Sequence, residues 1–199
     1  TTKPIIDNSD PFTALAFRFL IVAIGFLLFS FYTKNKVIVD KKKFFESFFS
    51  GVLFHGFYLG GVFYSISKGM PTGIAALIVT LQPILTNALS GPILNEKVTI
   101  KQWVGVLLGF IGAILVLGLD IGSGIPIVGL IATVIALIAI TSSTIWQKKI
   151  SNNLPLSVSN MYQAIGGCTF HILVIIFFAK PYINFSPTFI IAMSHQIFL

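Results

Sequence analysis

Six stretches of this chain, about 11–32, 44–67, 73–94, 102–119, 126–147 and 155–179, are apolar almost without interruption. Each is close to the roughly 20 residues that carry a helix across a hydrocarbon layer about 30 Å thick at about 1.5 Å per residue. A seventh run begins near Pro187 and is cut off at Leu199. The apolarity is continuous rather than alternating, which excludes the period-2 strands of a closed membrane barrel. Composition removes the soluble alternatives. Of 199 residues, 55% are hydrophobic, 20 are Phe and only 10% are charged, against about 25% charged in soluble domains. Neither a soluble enzyme nor a disordered chain has this balance. The expected class is all-α: a polytopic membrane helix bundle with six complete transmembrane helices and one truncated.

The ends of the runs agree with helix chemistry. Asp10-Pro11 and Ser186-Pro187 each place a capping side chain before a proline suited to the first helical turn. Thr99 and Gln102 have the spacing of a capping box. Basic residues supply the orientation. Nine lysines fall in loops 33–43, 95–101 and 148–154, and Lys3, Lys68 and Lys180 lie in the alternate connections. By the positive-inside rule the lysine-rich loops are cytoplasmic and Thr1 lies outside. A nucleic-acid surface has no reason to alternate in this way, so no nucleic-acid partner is expected despite the net charge of +7. The start at Thr1 and the stop within an apolar run suggest a piece of a longer protein with a preceding helix. Cys168 is the single cysteine and cannot form an intrachain disulfide.

Function has to be sought in the polar exceptions. His55 falls near the middle of the second run, where an ionisable group is costly and by default a functional candidate. Tyr58 and Ser65 share roughly its helical face, so the three read either as a cavity-lining stripe or as ordinary interhelical contacts. Gln82, Pro83, Thr86 and Asn87 form a polar knot in the third run. Pro83 removes a backbone donor and frees a carbonyl, as beside the substrate sites of transporters, although the knot also reads as a packing kink. Arg18 lies about 11 Å into its helix and reads as a structural anchor reaching the outer interface. Glu96 stands at a helix C-terminus, where the macrodipole disfavours a negative charge, so a partner such as Lys101 or Lys149 is expected. Gly105, Gly109 and Gly112 bare one face of the fourth helix for close helix packing. Ser142, Ser143 and Thr144 read equally as pathway or self-bonded residues, and His171 and Gln163 have no evident neighbours in sequence.

The stretch FHGFYLGGVFYSISKGMPTGIAALIVTLQPILTNALSGPILNEKVTIKQWVGVLLGFIGAILVLG, residues 54–118, resembles the EamA-type family of the drug/metabolite transporter superfamily. The resemblance is carried by the Ala-Leu-Ile helix leading to Pro83, by Asn95-Glu96, by Gly105, Gly109 and Gly112, and by Arg18. It implies ten helices in two inverted five-helix halves, with 1–122 the first repeat lacking its first helix and 123–199 the start of the second. Pro11-Phe12-Thr13 and Pro155-Leu156-Ser157 open runs inserted in opposite senses, in keeping with such a repeat. One departure concerns the helix opening the second half, where the family's frequent aromatic position holds Ile140, with Trp146 further on.

The resemblance further implies a secondary transporter or exporter of small organic metabolites, amino-acid-like compounds among them, working by alternating access in a bacterial inner membrane. Substrate contacts are assigned to His55, Tyr58, Gln82, Pro83, Thr86 and Asn87, and gating or structural roles to Arg18, Glu96 and the three glycines. No Walker-type glycine loop or metal-ligand spacing is present, and no catalytic residue, metal or cofactor is expected. The partners expected are the lipid bilayer and a small-molecule substrate; the oligomeric state stays open. A competing class is an integral membrane enzyme acting on lipid-linked substrates. Such an enzyme calls for charged catalytic clusters at a membrane face, whereas these loops hold mostly lysines and isolated carboxylates.

Overall fold

Helices that are apolar along their whole length have to bury their few polar groups against one another, and the architecture follows from how they do so. A computed structural model describes residues 2–95, 98–117, 124–150 and 154–198. A short helix α1 (Thr2–Ile6) leads into α2 (Pro11–Tyr32). Next come α3 (Lys41–Gly51), a π-helical segment (Val52–Leu59) and α4 (Gly60–Ser67), joined end to end as one rod. A second rod is broken into α5 (Thr72–Val79) and α6 (Gln82–Leu94). Helices α7 (Ile100–Leu117), α8 (Ile127–Lys149), α9 (Leu156–Phe178) and α10 (Pro187–Phe198) follow.

The expected runs thus become helices, with one change of count. Among the described residues, five rods are long and apolar enough to cross a membrane: Pro11–Tyr32, Lys41–Ser67, Thr72–Leu94, Ile127–Lys149 and Leu156–Phe178. The run expected over 102–119 is helical as α7, but its apolar part among the described side chains is the shorter Ile100–Gly112. Residues 118–123, where the two repeats are expected to meet, lie outside the described residues.

The expected caps form. Asp10 accepts from the Thr13 amide at 2.9 Å, and Ser186 Oγ accepts from the Phe189 amide at 3.2 Å. Thr99 and Gln102 satisfy one another reciprocally, with the Thr99 amide donating to Gln102 Oε1 at 2.7 Å and the Gln102 amide to Thr99 Oγ1 at 3.3 Å. At one end of the bundle, Tyr162 Oη donates to the Val37 carbonyl at 2.9 Å and Asn35 Nδ2 to Ser157 Oγ at 3.2 Å. At the other end, the Asp10 amide donates to the Tyr182 carbonyl and the Asn184 amide to the Asn8 carbonyl, at 3.1 and 2.8 Å. The segments around Asn35 and Ser157 thus meet at one end of the bundle, and those around Asn8 and Tyr182 at the other.

The most extensive contacts join α9 to α2 and to the α3–π–α4 rod. On the α2 side they are side-chain packing, with Leu15 and Phe19 among the fully buried residues and Ala164 and Cys168 in the same apolar cluster. On the rod side the helices touch backbone to backbone. A methyl group added at Gly51 would overlap the Gln163 carbonyl, one at Gly166 the Phe48 carbonyl, and one at Gly167 the His55 side chain. Gly56 and Gly60 continue this seam against Phe170 and His171. The π segment makes it possible. Its i→i+5 bonding makes five residues close to one turn, so Gly51 and Gly56 fall on one face, as 3.6 periodicity alone would not place them.

Large apolar side chains cover the perimeter instead: Leu28, Leu108, Ile131, Ile138, Ile176 and Phe177 are all more than half exposed. A surface of this kind requires a hydrocarbon solvent. The protein is an integral membrane protein, and the lipid bilayer is its environment.

The seam predicts opposite outcomes for chemically identical changes. Gly51→Ala and Gly166→Ala should each cost about 1–3 kcal/mol or more through overpacking, read as a fall in thermal midpoint and monodisperse yield in detergent. Gly105→Ala, where an added methyl meets nothing within 4 Å, should leave both unchanged.

Candidate functional site

The break between α5 and α6 follows from Pro83. The proline ring has no N–H to offer the Val79 carbonyl four residues earlier, and no hydrogen bond among the described residues reaches that oxygen. The chain turns at Thr80 and Leu81 before resuming as α6, whose first turn lacks a side-chain cap. Thr80 Oγ1 donates back to the Leu77 carbonyl at 2.7 Å, so the loosened turn is partly stitched by its own hydroxyl.

Beside this break lies a cavity of about 750 Å3. The broken rod contributes Val79, Thr80, Gln82, Pro83 and Asn87; α7 contributes Gln102, Gly105, Val106, Gly109 and Phe110. Tyr58 enters from the π segment and Ile140 from α8. Every lining residue is uncharged, and the polar groups divide by role. Gln102 Oε1 is occupied by the capping box, leaving its Nε2 as a donor. Gln82 Nε2 donates to Thr144 Oγ1 at 3.0 Å and more weakly to Thr86 Oγ1 at 3.5 Å, so its Oε1 is left to accept. Thr144 in turn donates to the Ile140 carbonyl at 2.9 Å, so a short chain of bonds ties the broken rod to α8. With Tyr58, Asn87 and the released Val79 carbonyl, the cavity offers donors and acceptors to a solute without offering a charge.

Four of the six residues assigned to substrate contact, Tyr58, Gln82, Pro83 and Asn87, are therefore gathered at one place. The other two are not. Thr86 shares the face of Gln82 but is buried beneath it, 3.5 Å from Gln82 Nε2, does not line the cavity, and gives its carbonyl to Ser90 Oγ at 2.7 Å. His55 packs in the α2–α9 seam, its ring 4.4 Å from Phe19 and 5.1 Å from Phe54. The shared face expected for His55, Tyr58 and Ser65 assumed 3.6 residues per turn, and the wider π turn rotates Tyr58 away. Ser65 is fully buried in the α4–α8 contact, donating to the Gly129 carbonyl at 2.8 Å and lying 2.6 Å from Thr133 Oγ1.

The remaining polar exceptions find partners within the bundle. Arg18 Nη1 donates to Gln196 Oε1 at 3.2 Å, and its guanidinium lies 5.4 Å from the centre of the Phe19 ring. His171, fully buried, is 3.0 Å from the His55 carbonyl through Nε2. A carbonyl only accepts, so Nε2 carries the proton and donates. Ser143 Oγ donates to the Ser50 carbonyl at 3.4 Å, and Gln163 Nε2 to Ser159 Oγ at 3.2 Å. Glu96 lies outside the described residues.

Gly105, Gly109 and Gly112 do not seat a neighbouring helix: an added methyl at each meets nothing within 4 Å among the described residues. Two of them, Gly105 and Gly109, widen the cavity instead. Reading by residue type passed over Thr80, Gln102 and Phe110, and Ile140 entered only as the occupant of the family's frequent aromatic position. Gln102 was absorbed into a cap, and apolar lining is indistinguishable from core in a uniformly apolar run. The signal for Thr80 was its place one turn before Pro83.

Comparison with known proteins agrees with this architecture. Residues 1–118 match the EamA-like transporter family. An uncharacterized transporter of Bacillus subtilis, YvbV, is 24% identical over 157 residues, 73% of this chain and 50% of the relative. A Salmonella typhimurium protein named "Probable amino-acid metabolite efflux pump" is 30% identical over 95 residues, 47% of this chain and 32% of the relative. The chain thus spans half or less of the length of these relatives.

The Gln82–Thr144 bond is open to direct measurement. Gln82→Leu, Thr144→Val and the double variant should give a coupling energy of about 0.6–2 kcal/mol in a thermal-unfolding cycle. Strict additivity would mean that the bond does not hold α6 to α8.

Proposed function

The chain belongs to the EamA-like transporter family, and from that membership we infer that this membrane transporter moves small organic metabolites by alternating access around the cavity beside α6. Membership in this family points to transport rather than to chemistry on lipid-linked substrates. The observation that supports the cavity is its pairing of a broken helix with uncharged donors and acceptors facing one space. A released carbonyl and the Gln82 oxygen suit an amino group, the Gln102 amide suits a carboxylate or carbonyl oxygen, and Val106, Phe110 and Ile140 suit an apolar side chain. A small amino-acid-like solute without net charge combines these features, and the Salmonella relative is named for amino-acid metabolites.

On this reading residues 1–122 and 123–199 belong to opposed repeats, and the cavity opens where they meet. The Gln82–Thr144 bond crosses from one to the other, so it forms in one access state and breaks in the other. The lysine-rich loops face the cytoplasm of a bacterial inner membrane, and net movement is outward.

The test is flux of labelled neutral amino acids and related metabolites from loaded vesicles containing the full-length protein. Asn87→Ala and Gln102→Ala should each reduce flux of a transported solute about tenfold, the size of one lost hydrogen bond to a solute. Gly109→Leu, which fills the cavity from a position with no close neighbour, should abolish flux while leaving the thermal midpoint unchanged. Wild-type flux in all three variants would sink the assignment.

A further inference from the structure

A second cavity, of about 520 Å3, opens at the lysine-rich end between the start of α3 and the end of α8. Its walls carry Lys42, Lys43 and Lys149 together with Asp40 and Glu46. Lys43 is paired with Asp40 at 3.8 Å, the single ion pair found among the described residues. Lys42, Lys149 and Glu46 then remain, and the cavity carries one uncompensated positive charge.

Both walls join a lysine to aromatic side chains. On α3, Lys42 is followed at the third and seventh positions by Phe45 and Phe49, so all three share a helix face. The two rings lie about 4.5 and 10 Å deeper along the helix axis, and they are 62% and 46% exposed. On α8, Trp146 stands one turn below Lys149. Its indole Nε1 donates to the Glu46 carbonyl at 3.2 Å, and its ring meets Phe49 edge-on at 5.4 Å. The α8 wall therefore presents a cation and an aromatic ring within the cavity, and the α3 face that carries Lys42 continues beyond the cavity into the exposed rings of Phe45 and Phe49. An ion drawn from water would need only the mouth. The apolar floor, continuous with the exposed faces of Phe45 and Phe49, calls for an occupant with a hydrocarbon part.

We propose that this cavity is a binding site for an anionic phospholipid, its phosphodiester between Lys42 and Lys149 and its acyl chains along Phe45, Phe49 and Trp146. A single phosphodiester charge balances the one positive charge left in the cavity. Basic pockets between transmembrane helices at headgroup depth are suited to such lipids. The site is separate from the solute cavity, with which it shares no lining residue.

The full-length protein, purified in detergent, is titrated with phosphatidylglycerol, phosphatidylcholine and glycerol 3-phosphate, with occupancy read by native mass spectrometry and the thermal midpoint in parallel. Phosphatidylglycerol should be retained in preference to phosphatidylcholine and should raise the midpoint. Lys42→Gln/Lys149→Gln should weaken its binding about 30-fold, from the contribution of two lysines near a membrane surface. Lys42→Arg/Lys149→Arg should preserve it. Lys34→Gln/Lys36→Gln removes the same charge from the same end of the molecule but outside the cavity, and should change binding less than threefold, below the roughly fivefold that a single lysine in contact with the headgroup contributes. Phe45→Ala, at an exposed position that folding tolerates, should weaken phosphatidylglycerol without restoring preference for phosphatidylcholine. Equal retention of the two lipids, or equal loss in the two lysine-to-glutamine pairs, would overturn the site. A midpoint rise with glycerol 3-phosphate matching that of the lipid would overturn the lipid assignment in favour of a soluble phosphate.

Discussion

The bundle depends on the contact between α9 and the α3–π–α4 rod, where glycine takes the place of a side chain on both sides. In hydrocarbon no hydrophobic force drives one apolar helix onto another, so association relies on close packing and a few polar ties. Gly51, Gly166 and Gly167 let two backbones meet, and dispersion between them is strongest at that separation. The π segment belongs to the same device, because it turns Gly56 onto the face that Gly51 already presents. The His171 bond to the His55 carbonyl sits within this seam. It satisfies one of the two nitrogens of a buried imidazole at a point where an unsatisfied polar group is costly.

The other side of the molecule is built on the opposite principle. Around α5, α6 and α7 the helices stand apart, and Gly105 and Gly109 enlarge the space between them rather than closing it. The two uses of glycine differ in what lies opposite. At the seam it is backbone; at the cavity it is open volume. The molecule thus combines a tightly packed region around α9 with a more open region beside the broken rod. The Gln82–Thr144–Ile140 chain of bonds spans the boundary between these regions.

Much of this was legible from residue order. The helices, their caps at Asp10, Thr99 and Ser186, and the break at Pro83 follow from local chemistry that acts within one or two turns. The family resemblance extended over nearly the whole chain, and the family match falls on residues 1–118. What local chemistry missed is equally specific. The π segment is invisible to a 3.6-residue period, so His55 was grouped with Tyr58 although one faces the seam and the other the cavity. Thr86 was taken with Gln82 and Asn87 because it is polar, yet its neighbours in α6 and α8 enclose it.

Sequence by itself determined the solvent of this protein and where its apolar helices lie and start, since each of these depends on hydropathy and capping within a short window. Only the tertiary structure decided which polar residues share a space. Two side chains on one helix are related by its pitch, but two on different helices are related by packing, and packing here is set by which glycines find a backbone opposite them. That is why Tyr58, Asn87 and Gln102, far apart in the chain, line one cavity, while His55 turns inward to α9.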